Sequence, residues 1–212
     1  MSALDDRRAE LVLAALPHVA FDGWSRRAMH HAARDTGLDR MAADRAFPYG
    51  AADMVAAFSR LADRHMIGAL EQRDLAAMKV RQRISVGVRT RLEEWTPHRE
   101  AVRRGIAVFA LPHNSGTAVR CLYDTVDAIW YAAGDTATDW NFYSKRALLA
   151  GVYSATTLYW LDDRSDGATD SWAFLDRRID DVMRIPKVGA RLINVRESMF
   201  RPVRAFCGAS TR

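Results

Sequence analysis

Apolar residues recur at three- and four-residue steps along almost the whole chain, and no convincing run of alternating residues interrupts them. A chain with that one period buries its apolar stripes helix against helix, so the sequence predicts an all-α fold. Prolines, glycines and capping residues cut it into nine or ten helices. The first spans about Asp6 to Leu16 and stops at Pro17; Ser25 caps a second from Arg26 to Thr36, closed by Gly37. Asp39 caps a short third that ends near Phe47, before Pro48 and Gly50, and a fourth runs from Ala52 to about Leu70. The fifth, Asp74 to Trp95, ends before Pro97; the sixth, Arg99 to Leu111, stops at Pro112; the seventh, Ser115 to Ala133, closes at Gly134. Asp139 caps the eighth, which ends at Asp162-Asp163, and the ninth spans Thr169 to Arg184, with Pro186 separating it from a tail. This punctuation divides the chain into an N-terminal helical unit (1–70), a second helical domain (71–186) and a tail (187–212).

A chain of 212 residues buries a sizeable core without staples. Its two cysteines, Cys121 and Cys207, form neither a metal-ligand pattern nor a disulfide framework. The polar, acid-bearing opening from Met1 to Arg8 reads as neither a secretory signal nor a transit peptide. The longest charge-free apolar stretch, Ala147 to Leu161, falls short of the roughly 20 residues that a spanning helix needs. A protein that is cytoplasmic, at most peripheral to a membrane, is expected. The net charge of +5 sits wholly in the tail, where six basic residues face Glu197 alone, while the body is balanced. That asymmetry suits an anionic partner, either membrane surface or nucleic acid, or a merely solubilising tail.

The motifs of catalysis are missing. There is no glycine-rich phosphate loop, no nucleophile elbow, no His-Glu-x-x-His helix and no Glu-x-x-His pair, so neither an enzyme nor a metal site is expected. The adjacent His30 and His31 point in different directions along their helix, and His18, His98 and His113 each neighbour a proline at or near a helix boundary. Asp162-Asp163 and Asp180-Asp181 are adjacent rather than converging.

The opening helices, with the Gly37-Leu38-Asp39 turn, have a helix-turn-helix layout resembling the N-terminal unit of tetracycline-repressor-type regulators. The segment Arg40 to Phe47 suits base reading poorly: Asp39 and Asp44 would face phosphates, and only Arg40 and Arg45 can donate. No lysine follows the aromatic stop, where Tyr49-Gly-Ala-Ala-Asp53 stands. Nucleic acid is therefore not the expected partner. A DNA-binding regulator that senses an apolar ligand remains the alternative reading.

Leu148, Leu149, Val152, Tyr153, Thr156 and Trp160 recur at helical steps in the eighth helix, and Leu158 and Leu161 widen the stripe until the helix is apolar nearly all round. Such a helix is buried or touches lipid, and the small residues Ala150, Gly151, Ser154 and Ala155 leave room that large side chains would fill. In the tail, Val188, Leu192, Val195 and Met199, with Ile193 and Phe200 alongside, form a stripe flanked by Lys187, Arg191 and Arg196. It could lie in a bilayer interface, or pack on the body or on a dimer mate.

Asp127-Ala-Ile-Trp-Tyr-Ala-Ala-Gly-Asp135, Thr138-Asp-Trp-Asn-Phe-Tyr-Ser-Lys-Arg-Ala-Leu-Leu-Ala-Gly-Val-Tyr153 and Trp172-Ala-Phe-Leu-Asp-Arg-Arg-Ile-Asp-Asp-Val-Met183 strongly resemble the coenzyme Q biosynthesis protein nine family. Ala15-Leu-Pro-His-Val-Ala-Phe-Asp-Gly-Trp-Ser25 and Phe47-Pro-Tyr-Gly50 fit its bacterial members, and the similarity reaches to about Pro186. The resemblance implies a tetracycline-repressor-like fold that does not repress, and a non-catalytic accessory role in ubiquinone biosynthesis. It implies no cofactor beyond a bound isoprenoid or phospholipid ligand, which Leu148, Leu149, Val152, Tyr153, Thr156, Trp160 and Phe174 are expected to contact. It also implies association with the di-iron demethoxyubiquinone hydroxylase through Asp127, Trp130 and Tyr131, with Trp130 as an exposed anchor. Membrane contact through Leu192, Val195, Met199 and Phe200, a location peripheral to the inner membrane, and a homodimer follow from the same resemblance. The tail, which contains Pro202, matches the family least.

Overall fold

A computed structural model describes residues 3–134 and 140–199, with side chains over 4–134 and 143–184. Among the described residues there are nine α-helices and three short 3-10 turns, without a strand. The helices are α1 (Ala3–Asp22), α2 (Arg26–Asp35), α3 (Arg40–Ala46), α4 (Ala51–Glu71), α5 (Val80–Glu93), α6 (Arg99–Phe109), α7 (Ser115–Ala132), α8 (Trp140–Asp162) and α9 (Thr169–Met199).

Local chemistry sets most of these ends. The Ser25 hydroxyl accepts from the Ala28 amide, and the Asp39 carboxylate accepts from Ala42, so both expected N-caps are in place. Between them Gly37, at φ +71°, takes the left-handed conformation that ends α2. His98 and His113 lie in the 3-10 turns after Trp95 and Leu111. Asp163 ties α8 to α9: its carboxylate accepts from the backbone and hydroxyl of Ser165 at 2.7 and 2.6 Å, and from the backbone of Ser171 at 2.8 Å. Burial opposes ionisation there, but these donors outweigh it and hold the carboxyl well below the usual aspartate range.

Three expected boundaries are corrected. Helix α1 does not stop at Pro17 but continues to Asp22, because Leu11, Val12, Ala15, Leu16 and Val19 are all buried along it. A lost backbone hydrogen bond at one proline is small beside that packing. Helix α5 begins at Val80 rather than Asp74; the Asp74 side chain accepts from the Ala77 amide and holds a turn instead. Helix α9 runs to Met199, past the stop expected at Pro186.

Two clusters of buried residues form the core. One gathers α1–α3 and the first half of α4 with Trp95 and Ala101, and the other joins the end of α4 to α5, α7, α8 and α9. Helix α4 serves both, so the N-terminal unit and the later helices share one packed column. Glycine allows close approach at two points. A Cβ on Gly105 would lie 3.2 Å from Val55, and one on Gly87 would lie 3.1 Å from Ile129. Among the described residues, no helix is long and apolar enough to cross a membrane.

Candidate functional site

Helices α4 to α8 converge on a cavity of about 270 Å³. Helix α4 contributes Val55, Phe58 and Ser59, and α5 adds Arg91 and Leu92, followed by Trp95. Val102, Gly105, Ile106 and Phe109 come from α6, and Ala118, Cys121, Leu122 and Thr125 from α7. Tyr153, Ser154, Thr157, Leu158 and Trp160 of α8 complete the wall. Leu158 is 55% exposed, so the cavity reaches the surface beside it, whereas Trp160 is wholly buried and Trp95 nearly so. The volume lies near the low end of the roughly 300–1,000 Å³ usual for small-molecule sites, and the lining is mostly aliphatic and aromatic.

One charged network stands in this wall. Arg91 donates from Nε to the Asp63 carboxylate at 2.7 Å and reaches the Ser59 carbonyl at 3.3 Å, while the Thr125 hydroxyl donates to the same carboxylate at 2.9 Å. Burial disfavours the arginine's charge, but Tyr153, Asp63 and Glu94 outweigh it and keep its pKa above the ordinary value. The pair is thus neutral as a unit, with both carboxylate oxygens and the arginine's Nε and one Nη engaged. The Cys121 thiol is pushed up to about 11, chiefly by burial. Among the described residues, no three histidines, cysteines or acids come close enough to hold a metal ion.

The residues expected to contact lipid separate into three groups. Tyr153 and Trp160 line the cavity. Leu149, Val152 and Thr156 are buried in the helical core beside it, off the cavity wall, and Leu148 is half-buried. Phe174 stacks on Tyr159 at 4.6 Å on the outside of α8 and α9. Of the small residues of α8, Ser154 borders the cavity, but Gly151 is exposed and has nothing near its Cβ position, so it makes no room inside. Helices α4, α5 and α6, with Trp95, supply about half of the cavity wall.

At the end of α7 the exposure expected of Trp130 is corrected. Trp130 is buried to 8%; its indole N–H donates to the Lys145 carbonyl at 3.2 Å, and the Lys145 ammonium lies 5.5 Å from its ring. Tyr131 is instead 81% exposed. Asp127 is half-buried and accepts from Arg146 Nε at 2.6 Å. Of the expected trio, then, Tyr131 presents surface, Asp127 is partly exposed and paired with Arg146, and Trp130 is packed in the core. The side chains of Leu192, Val195 and Met199, and all of Phe200, lie outside the described residues.

Residues not foreseen from the sequence are Asp63, Arg91, Thr125 and Trp95. The signal was present: Arg91 lies on the apolar face of α5 with Ile84, Val88 and Leu92, and Asp63 sits among the apolar residues of α4. A charge in the register of an apolar stripe is buried, and needs a partner.

In the helix-turn-helix, Asp44 pairs with His30 at 3.1 Å and Asp39 is engaged as a cap, while Arg40, Met41 and Arg45 are exposed on α3.

Comparison with known proteins bears on both fold and family. A crystal structure of a TetR transcriptional regulator from Nitrosomonas europaea superposes with a TM-score of 0.68, covering 84% of this chain and 98% of that one at 19% identity, which supports the fold alone. The sequence model of the COQ9 family matches residues 115–186, the stretch from α7 into α9. Human mitochondrial ubiquinone biosynthesis protein COQ9 is 29% identical over 196 residues, 89% of this chain and 61% of the human protein. Its Drosophila melanogaster counterpart is 31% identical over 186 residues, 86% of this chain and 57% of that protein. The chain thus spans about three fifths of the length of these relatives. With its TetR-like fold and these matches, the chain belongs to the COQ9 family.

Proposed function

We propose that this chain is a non-catalytic lipid-holding factor of ubiquinone biosynthesis, which keeps an isoprenoid quinone precursor in the α4–α8 cavity and offers it to a di-iron hydroxylase. The observation that carries this reading is the cavity itself: an apolar hollow open beside Leu158, whose one charged pair is internally neutralised. Such a wall has no acid, base or nucleophile poised for a reaction, and Cys121 remains a thiol at neutral pH. It does favour hydrocarbon, each buried methylene contributing about 0.8 kcal/mol. The names of the relatives supply the pathway.

In the same reading the hydroxylase docks on the α7 surface at Tyr131 and Asp127. The basic tail contacts the inner membrane, and the fold pairs as a homodimer. Mass spectrometry of lipid released from gently purified protein tests the central claim. An isoprenoid quinone or its precursor is the expected species, and protein free of isoprenoid lipid would overturn it.

A DNA-binding regulator is favoured only by the shape of α2 and α3 and by the exposed Arg40 and Arg45. With Asp39 capping that short helix and Asp44 within it, duplex binding that weakens as salt rises is not expected. A fluorescence-anisotropy titration at two salt concentrations checks this.

A further inference from the structure

Helix α1 has two apolar faces, and the fold buries one of them. Leu11, Val12, Ala15, Leu16 and Val19 pack into the core formed with α2, α3, α4 and α6. On the opposite side Leu13, Pro17, Ala20 and Phe21 are all exposed, Leu13 to 43% and Phe21 to 86%. With Asp6 and Glu10 before them they follow one line of four- and three-residue steps from Asp6 to Ala20, and Phe21 stands beside its end. A stripe with that spacing is the seam along which one helix packs on another at a shallow angle.

Charge is graded along the same stripe. Its N-terminal end presents the exposed Asp6 and Glu10, neither of which has an ion-pair partner among the described residues, with Arg7 on the flank. Just past its C-terminal end the chain turns at Gly23 and presents the exposed Arg26 and Arg27, with Arg104 of α6 against the turn. Asp22 lies 3.6 Å from Arg27, and Glu100 holds Arg104 at 2.8 Å, so Arg26 and the 77% exposed Arg27 are the cations facing solvent there.

We infer that α1 is a self-association surface, on which a second copy of this chain docks antiparallel through the Leu13, Pro17 and Phe21 face. An acidic end, an apolar middle and a basic end are matched by the same seam turned round. A twofold axis beside Pro17 brings Phe21 of each copy over Leu13 of the other, and Arg26 and Arg27 beside the other copy's Asp6 and Glu10. Such a contact is isologous, and its self-complementarity is what a twofold requires. An anionic membrane would meet the carboxylates together with Phe21, and a uniformly acidic or basic protein would leave one end opposed. One helix face buries less than the roughly 1,200–2,000 Å² of a stable interface, so the contact is reversible. It stands apart from the homodimer of the proposed function: whichever unit the rest of the chain forms, α1 doubles it.

The test is sedimentation equilibrium of the full chain over a wide concentration range, at low and high salt. The parent mass doubles reversibly as concentration rises. Phe21→Asp, at a site 86% exposed, weakens that doubling at least tenfold and leaves the thermal melt in place. Asp6→Lys with Glu10→Lys, and Arg26→Glu with Arg27→Glu, each weaken it about three- to tenfold at low salt and less at high salt. Mixed together, these two charge variants associate with each other at least as strongly as the parent does with itself, because every end then meets its opposite. A mass that Phe21→Asp leaves unchanged at every concentration overturns the inference. A mixture no stronger than its components overturns the antiparallel register. Flotation with phosphatidylglycerol vesicles supplies the last outcome: a parent that binds them through Phe21 and does not self-associate assigns the face to membrane and overturns the inference.

Discussion

Asp63 on α4 and Arg91 on α5 form an ion pair at 2.7 Å whose side chains are only 11% and 7% exposed. Three further donations, from Thr125 to the carboxylate and from Arg91 to Ser59, complete it. Removing the acid strands a buried guanidinium that makes no other ion pair among the described residues, Glu94 acting on it only from further off. Asp63→Ala is therefore expected to lower the unfolding free energy by about 3–5 kcal/mol in urea denaturation. The double replacement Asp63→Leu with Arg91→Met, which removes both charges and keeps volume, should recover most of that loss. A single variant within about 1 kcal/mol of the parent would mean that the pair is solvated.

Trp130 and Tyr131 are neighbours with opposite surroundings, which separates packing from docking. Trp130→Ala removes a ring held by Lys145 on one side and core on the other, and should cost about 3–5 kcal/mol. Tyr131→Lys, at an 81% exposed site, should leave stability within about 0.5 kcal/mol while weakening hydroxylase association at least tenfold. Pull-down affinity and melting temperature, measured on both variants, distinguish the two roles. Intact association of a well-folded Tyr131→Lys would remove that residue from the docking surface.

The caps at Ser25 and Asp39 were legible because each acts on an amide three residues away, inside the window in which sequence patterns operate. The persistence of α1 through Pro17 was not, since it depends on burial against helices distant in sequence. Family resemblance located the α7–α9 region and the end of α7, yet it could not orient Trp130 against Tyr131. Both are aromatic at a helix end, and which one turns inward depends on Lys145 and the start of α8. The cavity was read from one helix, α8, and only Tyr153 and Trp160 of the expected set reach it. Its other walls come from residues 55–125, so no single helical stripe reveals them. The Asp63–Arg91 link joins positions 28 residues apart and is visible only as two charges on apolar faces.

Glycine substitutions probe how closely the helices meet. Gly87 of α5 has Ile129 Cγ2 3.1 Å from its Cβ position, so Gly87→Ala forces α5 from α7 and should destabilise by about 1–3 kcal/mol despite the better helix propensity of alanine. Gly151 of α8 has nothing within 4 Å of that position. Gly151→Ala should therefore stabilise by about 0.5–1 kcal/mol and leave lipid binding unchanged. Chemical denaturation of the two variants gives the signs. A stabilised Gly87→Ala would mean that the α5–α7 contact yields without cost.

Cys121 offers a reporter inside the cavity. Its thiol is held up to about 11, with burial the largest cause and Arg60 opposing it. Only the thiolate attacks a maleimide, so near pH 7.5 the reactive fraction is roughly a hundredfold or more below that of an ordinary cysteine. Because deprotonation follows rising pH, the labelling rate should climb about tenfold per unit between pH 7.5 and 10, without a plateau near 8.5. Cys207→Ser leaves Cys121 as the one thiol to be followed. A ligand filling the cavity excludes the reagent from the lining that Cys121 shares with Trp95 and Trp160, so saturating quinone should slow the reaction at every pH. Mass-spectrometric rates that match a free thiol at pH 7.5, or that ignore the quinone, would place Cys121 outside the occupied space.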